Sequence, residues 1–180
     1  MLPDVAVGAV VAALIAGLVS FLGLIVSKEQ KTSEFRQAWI DNLRNNLTDF
    51  LTQINTIHDA VKINYKDHAE KLAALRPHYS SLNNSTFNIL LRVNSHEKIS
   101  KALLDDMGQF NELMRDESKL TFDNIRRIEE NFISNANALL KSEWRRVKLG
   151  EPAFQIAKIA AFFVVIGSFM ILGAKFFGWI

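Results

Sequence analysis

VAVGAVVAALIAGLVSFLGLIVS, residues 5–27, decides the fold of this chain because no charged residue interrupts it between Asp4 and Lys28. An α-helix of this length is roughly 35 Å long, and the hydrocarbon core of a bilayer is about 30 Å thick. The segment therefore predicts a transmembrane helix. No basic residue precedes it and its apolar run exceeds that of a signal peptide, so we expect a retained anchor and not a cleaved leader.

Small side chains recur along this first span in two neighbouring rows with a spacing of four residues. Positions four apart share one face of a helix, so one side of the span is nearly smooth. A smooth face lets a second helix backbone come close within a membrane. We therefore expect an oligomer interface, which we call the small-residue face. Its residues are Gly8, Ala9, Ala12, Ala13, Ala16, Gly17 and Ser20.

A second apolar stretch lies near the end of the chain, from Ile159 to Ala174, bounded by Lys158 and Lys175. Sixteen residues are short for a span. However, the long side chains of Lys158 and Lys175 can carry their charges to the membrane–water interface, and aromatic residues beyond them extend the apolar length. We predict a second transmembrane helix over residues 153–177. A buried helix or one lying in the membrane plane is the alternative.

Basic residues flank both predicted spans on the side of the central region. Positive residues next to a span stay in the cytoplasm, which places residues 28–150 inside and both termini outside. The same residues are suited to contact anionic lipid headgroups. The predicted membrane-surface residues are Lys28, Lys31, Arg145, Arg146 and Lys148.

The central region opens with the strongest periodic pattern in the chain, EFRQAWIDNLRNNLTDFLTQINTIHDAV at residues 34–61. Its apolar positions alternate in steps of three and four, and no glycine or proline separates it from the first span, so one continuous helix is predicted. Phe35 and Trp39 broaden the apolar side, which favours a packed bundle over a two-stranded coil. The seam comprises Ile40, Leu43, Leu47, Phe50, Ile54, Ile57 and Val61.

Three further helical segments are predicted before the second span. In residues 65–93, Pro77 implies either a kinked helix or two short helices, and loop and helix compete from Ser80 to Thr86. Asn94 and Glu97 have the spacing of a capping box, so a helix is expected to begin there.

The last of these helices starts near Thr121 and ends at Gly150. The fold class is therefore all-α, with two transmembrane helices flanking a cytoplasmic bundle of about four helices. The predicted domains are residues 5–27, 28–150 and 153–177.

The residues that usually carry catalysis do not form a recognisable site. The chain has no cysteine, no glycine-rich phosphate loop and no nucleophile elbow. The four histidines lack a pair at metal-ligand spacing, although His58 with Asp59 and Asp67 with His68 could meet between helices. We expect no catalytic residue, cofactor or metal. Neighbouring carboxylates diverge on a helix and are expected on solvated faces: Asp105 with Asp106, Asp116 with Glu117, and Glu129 with Glu130.

Nucleic acid is not an expected partner. The net charge is only +2, and basic side chains on the last bundle helix, such as Arg126 and Arg127, are expected to pair with nearby glutamates or with lipid headgroups. Helical ribonucleases of the HEPN type use an arginine and a histidine spaced R-x4-H. Arg92 and His96 are separated by three residues, so that motif is not formed.

Three blocks carry a resemblance to known proteins: QAWIDNLRNNLTDFLTQI after the first span, LLRVNSHEKISKALL, and LLKSEWRRVKLGE before the second apolar stretch. They resemble the WI-x2-LR block, the turn followed by a histidine, and the KxEW-R-K segment of small bacterial two-span membrane proteins. The layout more loosely resembles the membrane accessory proteins of RNA-targeting CRISPR systems. That resemblance implies a bacterial inner membrane location, oligomeric pores and a role in antiviral defence.

Two functional hypotheses follow from the predicted architecture. The first is a homo-oligomeric membrane pore or channel-like effector, in which the small-residue face packs neighbouring copies. The alternative is a membrane-anchored scaffold whose bundle recruits a cytosolic protein partner. An enzyme is not expected.

Overall fold

A computed structural model describes residues 4–150 and 152–176. Most of these residues are helical and none of them is in a β-strand, which confirms the predicted all-α class. A short 3-10 turn, Glu117–Lys119, precedes the fourth helix. The helices are α1 (Asp4–Val61), α2 (His68–Arg92), α3 (Lys98–Met114), α4 (Phe122–Leu149) and α5 (Pro152–Phe176).

The chain divides into two compact units. The bundle unit is Gln37–Arg145, and the terminal unit consists of Met1–Arg36 together with Arg146–Ile180. Helices α1 and α4 contribute residues to both units, whereas α2 and α3 belong to the bundle unit alone. The bundle unit contains a helical bundle, as the apolar periodicity predicts.

The predicted seam of α1 forms the centre of the bundle core. All of its members except the half-buried Val61 are buried, because a spacing of three and four keeps them on one side of the helix. Trp39 packs against this core while partly exposed. Phe35 is 74% exposed, so the expectation that it broadens the core-facing side is wrong.

Three phenylalanines from three helices meet inside the bundle. The rings of Phe50 and Phe132 stack with their centroids 5.3 Å apart. Phe110 contacts both edge-on, at 5.8 Å from Phe50 and 6.1 Å from Phe132. Such pairs stabilise a core beyond the area they bury, so this aromatic cluster fixes α1, α3 and α4 together.

Helix α2 continues through Pro77, so the alternative of two short helices is not observed. Residues 80–86 are helical as well, which decides the competition between loop and helix at that segment. The carboxylate of Asp67 accepts a hydrogen bond from the Glu70 backbone at 2.8 Å and caps the first turn. Pro77 has no backbone N–H to donate within the helix. Four buried residues nevertheless hold α2 on the bundle: Leu75, Leu82, Ser85 and Ile89.

The start of α3 differs from its prediction. Asn94 does not cap the helix, whose preceding residue is Glu97, and Glu97 makes no side-chain capping bond. Instead Asn94 Oδ1 accepts from the His96 backbone N–H at 3.1 Å, closing a local turn. Asparagine readily bonds to the backbone two residues ahead, and this geometry competes with the capping box.

Helix α4 begins and ends close to its predicted limits. The Thr121 hydroxyl accepts from the Asn124 backbone N–H at 3.3 Å, as an N-cap does. Gly150 ends the helix with a φ of +68°, a conformation that favours glycine. A Cβ at this position would lie 2.7 Å from the Glu29 carboxylate of α1, within the terminal unit.

One apolar stretch in the described part of the chain, within Phe122–Gly167, is long and apolar enough to cross a membrane. The first predicted span lies in α1, where several of its side chains, at 5–8, 10, 11 and 14, lie outside the described residues.

Candidate functional site

The small-residue face of α1 is exposed in the terminal unit wherever its side chains are described. Ala9, Ala12, Ala13, Ala16, Gly17 and Ser20 are all exposed, and the surroundings of Gly8 lie outside the described residues. A Cβ added at Gly17 would meet no atom within 4 Å. Ser20 donates to the Ala16 carbonyl at 2.9 Å, so its hydroxyl is satisfied within the helix. The face is therefore smooth and largely apolar.

Helix α5 lies against a different side of α1. An apolar groove of about 580 Å³ is lined by Leu22, Ile25 and Val26 of α1 and by seven residues of α5. Ser20 lies two positions from Leu22, and two residues on an α-helix are roughly half a turn apart. The small-residue face thus points away from α5 of the same chain.

The predicted membrane-surface residues are exposed. Lys28 and Lys31 follow the first apolar stretch, while Arg145, Arg146 and Lys148 precede the second. Arg126 Nε donates to Glu130 Oε1 at 3.1 Å, which matches the expected pairing of basic residues with glutamates on α4. Exposed cations next to apolar helices are suited to anionic headgroups.

A second candidate site lies in the bundle unit and was not predicted. We call it the polar groove. It has a volume of about 860 Å³ and lies between α1, α2 and α4, next to the loop after α1. Its lining comprises Thr48, Leu51, Thr52, Asn55, Thr56, Asp59, Ala60, Ile63, Tyr65, Ala74, His78 and Glu129.

Asn55 and Glu129 join two helices within the polar groove. Asn55 Nδ2 donates to Glu129 Oε1 at 3.1 Å and to the Leu51 carbonyl at 3.1 Å. Both side chains are half-buried. Tyr65 donates its hydroxyl to the Ala60 carbonyl at 2.9 Å and holds the loop beside the groove.

The ring nitrogens of two of the four histidines lie within hydrogen-bond distance of other side chains. His58 is buried, with Nδ1 at 3.0 Å from Asp59 Oδ1 and Nε2 at 2.6 Å from Lys62 Nζ. His78 Nδ1 lies 3.0 Å from Gln53 Oε1 at the polar groove. No group of three or more histidines or carboxylates within residues 4–150 and 152–176 is placed to hold a metal ion.

Two of the three neighbouring carboxylate pairs diverge as expected, but not all of their members are solvated, and the side chain of Glu117 in the third pair lies outside the described residues. Asp106 is buried and accepts from Asn135 Nδ2 at 2.7 Å, while Asp105 is exposed. Glu129 is half-buried and Glu130 is exposed. The expectation of solvated faces is therefore wrong for Asp106 and incomplete for Glu129.

Asp116 lies in the turn before α4 and has a perturbed acidity. Its Oδ1 accepts from the Ser118 hydroxyl at 2.6 Å and from the Ser118 backbone N–H at 3.0 Å. These bonds, with a smaller contribution from Lys119, hold the pKa of Asp116 below its usual value, because they favour the ionised carboxylate.

The polar groove was missed because its key bond joins residues far apart in sequence. Asn55 follows the buried Ile54, and Glu129 follows the buried Ile128. A polar residue beside a seam position lies at the edge of the apolar side and can meet a neighbouring helix. Polar residues that flank seam positions are the sequence signal that could have found this site.

Comparison with known proteins found no matching family model, no similar curated protein and no similar solved structure.

Proposed function

We propose that this chain is an integral protein of the bacterial inner membrane whose copies associate through the small-residue face of α1 to form a pore or channel-like assembly. The observation that supports this most directly is the placement of that face. It is exposed in the terminal unit, and α5 of the same chain lines the other side of α1. A close-packing face that its own chain leaves uncovered is suited to a second copy.

Large exposed hydrophobic side chains support membrane insertion of the terminal unit. Leu24 of α1 is 71% exposed, and Ile156 and Met170 of α5 are 69% and 70% exposed. In water such a surface would favour aggregation, whereas lipid tails would cover it. The proposal places spans at residues 5–27 and 153–177.

The exposed basic residues beside the two apolar stretches support an orientation with residues 28–150 in the cytoplasm and both termini outside. In this arrangement the small-residue face packs neighbouring spans, and the bundle sets the number of copies and controls opening. A role in antiviral defence is part of the proposal and rests on the looser resemblance of the layout to the membrane accessory proteins of RNA-targeting CRISPR systems.

The test is the mass of the purified complex in nanodiscs, combined with conductance measurements. We expect a closed ring of the unsubstituted chain, and we expect the double substitution Ala12→Leu with Ala16→Leu to prevent assembly because the added bulk separates the spans. Ala160→Leu, an exposed position of α5, is the matched control and should assemble normally. Normal assembly of the α1 variant would refute the interface, and a ring without conductance would refute the pore.

A second candidate function is a membrane-anchored scaffold that recruits a cytosolic protein. Exposed apolar side chains on α2 favour it: Phe87 is 61% exposed and Leu91 is 86% exposed. Because these residues are one turn apart, they lie on one face of the helix. The scaffold would be supported over the pore if the purified complex contains one copy of this chain with a bound cytosolic protein, and if Leu91→Ser loses that protein.

A further inference from the structure

The apolar groove between α1 and α5 in the terminal unit contains a single charged side chain among its described lining residues. Its volume is about 580 Å³, and this lining is apolar apart from Gln155 and Lys158 of α5. No carboxylate belongs to the described lining. The α1–α5 groove therefore combines a hydrophobic surface with one positive charge.

The polar and the apolar lining residues of α5 are separated along the helix axis. Gln155 and Lys158 lie in the first two turns of α5, while Phe162 and Val165 lie one and two turns beyond Lys158. In the proposed orientation α5 starts at the cytoplasmic surface, so the polar end of the groove lies near the headgroups and the apolar end lies nearer the centre of the bilayer. A phospholipid of the cytoplasmic leaflet has the same order of charge and hydrocarbon.

Lys158 is exposed and forms no hydrogen bond or ion pair with another residue in the described part of the chain. It lies roughly 9 Å along α5 from Pro152, inside the proposed span, where a charge without a counter-charge is costly. Side chains on an α-helix lean towards its N-terminus, so the lysine stem leans back towards the cytoplasmic headgroups. A negative group at that level would compensate the charge of Lys158.

The single charge of the groove narrows the class of lipid. A zwitterionic headgroup carries a cation as well as a phosphate, and the described lining has no carboxylate to pair with that cation. A headgroup whose only charge is its phosphate matches one lysine. Gln155 Nε2 donates to the Leu149 carbonyl at 2.7 Å, and a side-chain amide has a second N–H that can donate to the same phosphate.

We propose that the α1–α5 groove binds an anionic phospholipid of the cytoplasmic leaflet, with its phosphate on Lys158 and an acyl chain along Phe162 and Val165. Basic pockets between transmembrane helices on the cytoplasmic side are suited to anionic headgroups. The site rests on the membrane insertion and the orientation that belong to the proposed function, and it requires neither the oligomer nor the pore.

The test is native mass spectrometry of the full-length chain in mild detergent, titrated with phosphatidylglycerol or with zwitterionic phosphatidylcholine of the same acyl chains. We expect saturable binding of phosphatidylglycerol and several-fold weaker binding of phosphatidylcholine. Lys158→Gln should weaken phosphatidylglycerol binding about fivefold, because one basic residue near a membrane surface contributes an attraction of that size. Lys158→Arg keeps the charge and should preserve the preference.

Two further variants separate the groove from general surface charge. Lys31→Gln removes an exposed lysine that follows the first apolar stretch and is not among the lining residues, so it should keep the preference for phosphatidylglycerol. Val165→Trp fills the groove while Lys158 stays intact, and it should weaken the binding of both lipids.

Equal binding of the two lipids, unchanged affinity in Lys158→Gln, or an equal loss in Lys31→Gln would overturn the inference and leave membrane insertion and the pore unaffected. Unchanged binding in Val165→Trp would show that the lipid does not occupy the groove. Extraction of the membranes with sodium carbonate tests insertion separately: a chain released by carbonate would refute both the spans and the lipid site. Bound lipid is counted per chain, so a complex without a ring or without conductance gives the same result.

Discussion

Phe132 lies in the bundle core where side chains of three helices meet. It is fully buried and contacts the rings of both Phe50 and Phe110. Truncating Phe132 removes the ring that stacks on Phe50 of α1 and that Phe110 of α3 contacts edge-on. Because the cavity would be surrounded by large side chains from three helices, it is not easily filled by relaxation.

Phe132→Ala is therefore expected to lower the free energy of unfolding by about 3–5 kcal/mol, a large share of the about 5–15 kcal/mol that stabilises a typical domain. Urea denaturation followed by circular dichroism measures this loss. Ile133→Ala is the matched control, because Ile133 is 44% exposed and its truncation should change stability far less. Similar losses in the two variants would contradict the central place of the aromatic cluster.

The hydrogen bonds of the single residue Asp116 give a prediction about its pKa and about the pH dependence of stability. Ser118→Ala removes the hydroxyl bond that contributes most to the lowered pKa of Asp116, so we expect that pKa to rise towards its usual value. Because the folded pKa lies below the unfolded one, the stabilisation is present above the unfolded pKa and is lost as the pH falls through the folded pKa.

Titration of the Asp116 carboxyl carbon by nuclear magnetic resonance measures this change. Ser118→Thr keeps a hydroxyl at the same position and should preserve the lowered pKa of Asp116. An unchanged midpoint in Ser118→Ala would show that the hydroxyl bond does not hold the carboxylate in its ionised form.

At the scale of elements, the end of α4 depends on one glycine. Gly150 adopts a φ of +68°, and a Cβ there would also come within 2.7 Å of Glu29 Oε1. Gly150→Ala is expected to cost about 1–2 kcal/mol from backbone strain alone. Thermal unfolding should show a lower midpoint for this variant.

Two further variants separate the causes of that loss. Glu29→Ala added to Gly150→Ala removes the close contact but not the strain, so it should restore only part of the stability. Gly108→Ala lies in α3 with open space around it and should instead raise stability by about 0.5–1 kcal/mol. A neutral Gly150→Ala variant would contradict the requirement for glycine at the helix end.

The elements also show what sequence reasoning can reach. The seam of α1 was predicted because one repeating spacing specifies a whole helix face, and burial confirms it for Ile40 to Ile57. The start of α3 was not predicted correctly, because the side-chain oxygen of Asn94 can accept a hydrogen bond either from the first turn of a helix or from a local turn. Single-residue choices of this kind depend on small energy differences that a periodic pattern does not contain.

At the scale of the whole molecule, the unpredicted features are those that join distant segments. The bond between Asn55 and Glu129 and the bond between Asn135 and Asp106 each connect two helices. Both depend on how the helices rotate about their axes once packed, which the order of residues along one helix does not specify. The small-residue face, by contrast, was readable from spacing alone, and its exposure away from α5 required the structure.

The aromatic cluster also has a consequence for biosynthesis. Phe50 belongs to the first helix of the bundle unit, and Phe132, its stacked partner, belongs to the last. During translation the apolar side of α1 therefore leaves the ribosome long before α4 exists to cover it. Nascent chains that expose apolar surface in this way are prone to aggregate and are typical clients of chaperones. The same stacking that stabilises the finished bundle makes its assembly a late event in synthesis.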